Sequence, residues 1–161
     1  MAGAVAILHI IWITFLPFLE LRASIPVGFA LMGTSSWLTI AVIAIAANFV
    51  LGILLFYIAD ICINLLTRLR FMKRIYDRTI ERVQKKAHKG VEKYGVIGLA
   101  LFVGVPLPGS GVYSGVLAAK IFGIRFRDYA IAIAIGVLLA GAAVTLVMLT
   151  GASAFSFLIK T

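Results

Sequence analysis

Charge is scarce in this chain and acid scarcer still: 13% of its 161 residues are charged, and only 6 are Asp or Glu. A soluble domain carries about 25% charged and about 45–50% apolar residues. Here 63% are hydrophobic and the mean hydropathy is +1.12. That excludes a soluble fold and indicates an integral membrane protein. Cysteine is nearly absent: Cys62 stands alone, which excludes an intrachain disulfide and a Cys-based metal cluster, and its place in a span makes it a packing residue. The histidines are His9 and His88, too far apart in sequence and setting to hold a metal. Their positions also leave Ser110 and Ser114 without the nearby base that a serine nucleophile needs, although Gly-Val-Tyr-Ser-Gly superficially looks like a protease motif. Pro-Leu-Pro-Gly-Ser-Gly is followed by no Lys and is no phosphate-binding loop. No enzyme activity, metal or cofactor is expected. Met1-Ala-Gly-Ala-Val lacks a basic start, so no cleaved leader is expected.

Proline is confined as well as rare. The four prolines lie in two segments, Pro17–Pro26 and Pro106–Gly115, each inside an apolar run where a membrane helix would otherwise continue. Proline removes a backbone donor and stops a helix. Broken backbone survives in lipid only where it is buried in protein or lines a wet cavity. Each run is therefore expected to bend back as a re-entrant hairpin. The first segment also holds Glu20 and Arg22, charges that are costly at membrane depth and read as functional there.

In chain order, residues 3–16 form an apolar arm too short to cross. A second short arm runs to Gly33, with Ser24 as its cap, Pro26 in its first turn and Gly33 closing it. Thr34–Trp37 is a polar turn with Trp37 an interface anchor. Residues 37–66 form the first span. At 1.5 Å per residue Asn48 lies roughly 17 Å past Trp37, near the midplane, and Asp60 about 35 Å along, among headgroups or beside Arg68. Asn48 is either an interhelical hydrogen bond or a substrate contact.

The charge that exists is one-sided. Of 15 Lys and Arg, ten fall between Arg68 and Lys93, with three acids among them. Apolar residues at three- and four-residue steps make 67–94 an amphipathic helix on the cytoplasmic surface. The positive-inside rule and anionic lipid headgroups account for the 68–93 cluster better than nucleic acid does.

Residues 95–160 repeat the pattern. A hairpin over about 95–123 has Ser110 as the natural cap of its returning arm, Lys120 in the last turn and Gly123 as the stop. A span over 129–159 follows, whose Gly136, Ala140, Gly141 and Thr145 allow close helix contact. Residues 1–66 and 95–160 are each 66 residues long, and the first hairpin must open outward where the second opens inward. The expected fold is thus an all-α membrane protein, a single domain over 1–161. It holds two inverted repeats, each a re-entrant helical hairpin plus a transmembrane helix, with the cytoplasmic helix between them. Broken elements meeting at the midplane are the pattern of secondary transporters.

Glu20-Leu-Arg-Ala-Ser-Ile-Pro26 together with Pro106-Leu-Pro-Gly-Ser-Gly-Val-Tyr-Ser-Gly115 resembles the putative small multidrug export protein family, a compact relative of the DedA superfamily. The likeness covers nearly the whole chain. It implies two re-entrant hairpins packed on transmembrane helices, and membrane transport or lipid translocation, with proton coupling among DedA relatives. DedA proteins place arginines in the second motif, which is uncharged here, so only Glu20, Arg22 and the Pro/Gly/Ser backbone carry over.

Several residues are therefore expected to form a substrate or proton-coupling site. They are Glu20, Arg22, Ser24, Pro26, Asn48, Pro106, Pro108, Gly109, Ser110, Gly111, Tyr113, Ser114 and Gly115. The N-terminal ends of both returning arms, with their unpaired N–H groups, would converge near Ile25 and Gly111 on an anion. Arg22 suits phosphate or carboxylate, Glu20 is the titrating group, and the glycines let substrate approach the backbone. The readings left open are a transporter or lipid flippase or scramblase for an anionic substrate, an exporter of cationic drugs bound by Glu20, and a structural or assembly protein in which Glu20 and Arg22 are an ion pair. The location expected is the cell membrane, plasma or inner membrane of a prokaryote, multi-pass. A homo-oligomer, dimer favoured, would cover the polar elbows.

Overall fold

Apolar runs broken at the proline segments give, twice over, a pair of short helices followed by one long helix. The computed structural model describes residues 2–17, 19–66, 95–105 and 110–159, with side chains over 3–17, 19–61, 95–105 and 110–151. The expected amphipathic helix 67–94 with His88, the side chain of Cys62, and Pro106, Pro108 and Gly109 lie outside these. The helices are α1 (Ala2–Thr14), α2 (Glu20–Met32) and α3 (Trp37–Leu66), then α4 (Gly95–Gly104), α5 (Val112–Phe122) and α6 (Phe126–Ile159). A 3₁₀ turn at Thr34–Ser36 joins α2 to α3. Among the described residues there is no strand.

The short helices are too short to cross a bilayer. Thirteen residues in α1 reach about 20 Å, against a hydrocarbon core of about 30 Å. The apolar stretches Thr34–Ile61 and Phe126–Gly151 are each long and apolar enough, at mean hydropathy 2.6. The first span begins and ends where the sequence predicts. The second helix starts at Phe126 rather than residue 129, because Asp128 sits favourably in its first turn, at the positive end of the helix dipole.

α1 and α2 form an antiparallel hairpin: Thr14 meets Ser24 and Ile10 closes on Gly28. α4 and α5 form a second, with Val103 and Leu99 against Gly115. α3 and α6 also run antiparallel, since Phe56 packs on Phe126, Tyr129 donates to the Gly52 carbonyl at 2.9 Å, and Ile45 lies against Gly141. The expected small-residue face of α6 is used as such: Gly136 takes Val103 and the Ala100 carbonyl at close range.

All six helices feed one core, through Ile10, Ile25, Ile40, Val103, Val112, Ile133 and Val137 among others. The outer faces stay apolar: Leu8, Trp12, Leu38, Ile61, Leu138, Leu146 and Val147 are all exposed. A monomeric soluble protein avoids apolar surface on that scale. Helices, hairpins and outer surface fit a membrane protein.

Candidate functional site

The two elbows interlock, and Glu20 is where they do so. It is the first residue of α2 and is 4% exposed. Its φ is +48°, a left-handed conformation that costs a non-glycine residue about 1–2 kcal/mol. The strained backbone also takes Glu20 out of helical register. Residues two apart on a regular helix do not share a face, yet Glu20 and Arg22 both reach the second hairpin. The Glu20 carboxylate accepts from the backbone N–H of Val112 at 3.1 Å and of Tyr113 at 3.4 Å. These are the orphan donors of the α5 N-terminus, where the helix dipole favours negative charge. Gly111 makes the approach feasible, because a Cβ there would lie on the carboxylate itself.

Arg22 serves the other broken end. Its Nη2 donates to the Val105 carbonyl at 3.3 Å, to the Ser110 carbonyl and to Ser110 Oγ at 3.1 Å. Val105 follows α4 directly, so a cation sits at that helix's negative end. Ser110 Oγ donates in turn to the Val105 carbonyl at 2.6 Å. A carboxylate on one half-helix and a guanidinium on the other thus hold the break between them. The ion pairs between described residues are Lys120–Asp60 and Arg125–Asp128. Glu20 and Arg22 lie close enough to interact through their charges, and each also bonds to the second hairpin.

Further contacts tie the elbows. Tyr113 Oη donates to the Phe15 carbonyl at 2.6 Å, capping the end of α1 from the first turn of α5. Thr14 Oγ1 donates to the Ile10 carbonyl at 2.7 Å and accepts from Ser24 Oγ at 2.7 Å, since one hydroxyl carries a single proton. The structure thus brings together Glu20, Arg22, Ser110, Gly111 and Tyr113. Ser114 is local to them: its Oγ accepts from the Gly111 N–H at 3.0 Å and donates to the Gly111 carbonyl at 3.1 Å.

Several expected roles are corrected. Ser24 and Pro26 lie inside α2, which starts at Glu20. Ser24 hydrogen-bonds Thr14 instead of capping, because α2 already starts at Glu20, four residues earlier. Gly33 closes α2 as expected, at φ +75°. Ser110 does not cap α5; Glu20 and Ser114 do. The α5 N-terminus offered to an anionic substrate is filled by the protein's own carboxylate. Gly115 faces Val103, whose Cγ2 would lie 2.7 Å from an added Cβ, so helix packing takes the place of substrate approach.

Asn48 is interior as predicted, 1% exposed. Its Oδ1 has no hydrogen-bond partner among the described residues, and neither has Thr145 Oγ1. Asn48 is one turn from Gly52, against which Val112 packs, so it belongs to the layer behind the α5 N-terminus. Sequence reasoning missed two contacts. Tyr129 holds the Gly52 carbonyl. Lys120 pairs with Asp60 at 2.6 Å, a partner the sequence does not reveal; Arg68, the other partner expected for Asp60, lies outside the described residues. Charges at the ends of two apolar segments were the available signal, but nothing in a separation of 60 residues matches one to the other.

Residues 20–143 match the model of the family described as "Putative small multi-drug export protein". No curated protein and no solved structure matches the chain. The match opens at Glu20, takes in α2 and the second elbow and ends within α6, well over half of the sequence. The chain belongs to this family of small multi-drug export proteins.

Proposed function

We propose that the chain is a multi-pass transporter of the cell membrane that exports small organic molecules, with the interlocked elbows as its moving element. The observation that carries this is Glu20: a buried carboxylate, in strained backbone, holding the N-terminus of a helix from the opposite hairpin. A charge at that depth is costly and reads as functional. Strain persists where surrounding structure enforces it, commonly at clamps and switches. Two short helical hairpins, each preceding a long apolar helix, with the long helices antiparallel, support the inverted-repeat, re-entrant reading. In it the elbows meet within the membrane. Displacing the Glu20 carboxylate from the α5 N-terminus would remove the charge that this helix end favours and loosen the lock, which ties the opening of the hairpins to whatever takes its place. The protein is not an enzyme in this reading: Ser110 and Ser114 spend their hydroxyls on backbone. Membrane lipid at the basic segment 68–93 and a second copy of the chain are the partners.

The second reading, DedA-like translocation of an anionic lipid headgroup, is favoured by Arg22 and the α5 N-terminus lying side by side. It requires the headgroup to displace Glu20. One experiment separates the two. Proteoliposomes containing wild type or Arg22→Gln are assayed in parallel for ethidium transport and for exposure of inner-leaflet fluorescent phospholipid to an impermeant quencher. Export predicts ethidium flux that falls at least about tenfold in the variant, with lipid exposure at background. Lipid exposure lost in the variant, without ethidium flux, replaces export by translocation. A folded wild type silent in both assays overturns transport of either probe and favours a structural role.

A further inference from the structure

At the far end of α3 from Trp37, an ammonium group sits in a box of aromatic rings. Lys120, in the last turn of α5, places Nζ 3.4 Å from the centroid of the Phe56 ring and 2.6 Å from Asp60 Oδ1. Asp60 is one turn beyond Phe56 on α3, so ring and carboxylate form one stripe. Phe56 packs on Tyr129 with centroids 4.6 Å apart and on Phe126 at 5.3 Å. Tyr57 lies 5.3 Å from Phe126 and completes the group. Cations within about 6 Å of an aromatic centroid are held by the ring quadrupole.

Nothing in this recognition depends on the ammonium belonging to the chain. A ring face and a carboxylate bind an alkylammonium whatever its other end is attached to. The box is also open on one side. The Lys120 side chain is 12% exposed, but that of Asp60 is 54% exposed, so an incoming cation meets the carboxylate first. Lysine is attached by a flexible four-carbon stem, which lets Nζ leave without backbone movement. The box stands where the apolar stretch of α6 begins at Phe126, beside the charged Arg125, Arg127 and Asp128. That is the level at which an amphiphilic ligand keeps its charge in the polar region and its tail against helices whose outer faces are apolar.

We propose that Phe56, Tyr57, Asp60 and Phe126 form a binding site for amphiphilic alkylammonium ligands, which Lys120 occupies as a tethered competitor. The ligand class extends the small-molecule export reading, with this site as the point of entry and Lys120 setting the concentration at which a cation gains it. A tethered group competes at an effective concentration set by its linker, in the millimolar range for short flexible ones.

The test uses the full-length protein in nanodiscs of neutral phosphatidylcholine, read by thermal unfolding and equilibrium binding, so it needs no flux. Lys120→Ala is expected to lower the melting temperature and n-hexylammonium to restore it. Binding of hexylammonium should be about tenfold tighter than to wild type, and 1-hexanol, of equal length but neutral, should do neither. Adding Asp60→Asn should abolish the rescue. If Lys120→Ala does not fold, Lys120→Met, which keeps the stem, takes its place with the same expectations. Hexylammonium that acts no better than hexanol, or binds wild type as tightly as the variant, overturns the site. Binding in the expected order from a protein that moves no ethidium leaves the site standing and removes only the export reading.

Discussion

At the first elbow α1 ends at Thr14 and α2 begins at Glu20, and the chain sends its charges, Glu20 and Arg22, across to the other hairpin. At the second, the described residues contribute backbone groups and the Ser110, Tyr113 and Ser114 hydroxyls. Both elbows expose the same liability, since an interrupted helix leaves up to four N–H or C=O groups unpaired at each end, and lipid offers none of them a partner. The first hairpin supplies the side-chain charge, the second the helix ends that receive it. The carboxylate goes to the positive end of α5 and the guanidinium to the negative end of α4. The second hairpin satisfies part of its own backbone through Ser110 and Ser114 and takes the rest from the first. The difference teaches that the elbows are one structure, and that opening one from the other must leave buried polar groups bare unless something replaces them.

That dependence is broken most severely at Gly111. A Cβ there overlaps the Glu20 carboxylate, so Gly111→Ala must expel the charge from the α5 N-terminus or shift the helix. A loss of roughly 2–4 kcal/mol is expected, measured by thermal or denaturant unfolding in detergent. Glu20→Asp, which retracts the carboxylate by one methylene, should recover part of that loss in the double variant. Simple additivity would show that the two positions do not meet. Arg22→Gln comes next. It strips a charged donor from two carbonyls and a hydroxyl, and about 1.5–3 kcal/mol follows from removing hydrogen bonds to a charged group. Glu20→Gln should cost less, about 1–2 kcal/mol, because the amide oxygen still accepts from one N–H while the charge–dipole attraction is lost. If Glu20→Gln and Arg22→Gln destabilise independently and sum, the elbows are separate caps; a combined loss smaller than the sum marks one cooperative lock.

How much of this was legible in the sequence can be judged element by element. The span 37–66 and the hairpin arms were readable because proline placement and apolar run length act locally. That the segments of Glu20 and Arg22 and of Ser110, Gly111 and Tyr113 would come together was readable too, because charge and broken backbone within apolar runs need partners. The pairing was not. The sequence places a positive helix end at Gly111 and an anion as its natural ligand, but cannot show that the anion is already in the chain 91 residues earlier. Nor does it show that Glu20 leaves helical register, since its φ of +48° is imposed by the fold around it. Ser24 reads as a cap by residue type and instead hydrogen-bonds Thr14, because α2 starts at Glu20. Lys120 reads as a last-turn residue and Asp60 as an interface charge, because a contact across 60 residues leaves no local signal.

A smaller effect sharpens the comparison from the α1 side. Tyr113→Phe removes only the donor to the Phe15 carbonyl, and about 1 kcal/mol is expected. The reduction should match that of a variant at the partner elbow if the lock is evenly shared.

The least costly change is Ser110→Ala, and it bears on what kind of machine this is. Its Oγ accepts from Arg22 and donates to the Val105 carbonyl, but Arg22 retains both carbonyls without it. Alanine therefore removes one bridging hydroxyl from a network whose other members stay paired, at a cost of under about 1 kcal/mol. Transport should continue at close to the wild-type rate. If Ser110→Ala instead abolishes activity while its unfolding curve overlays that of wild type, the hydroxyl takes part in chemistry. The reading of the second elbow as a scaffold of backbone and hydrogen bonds then fails at the residue that joins α4, α5 and Arg22.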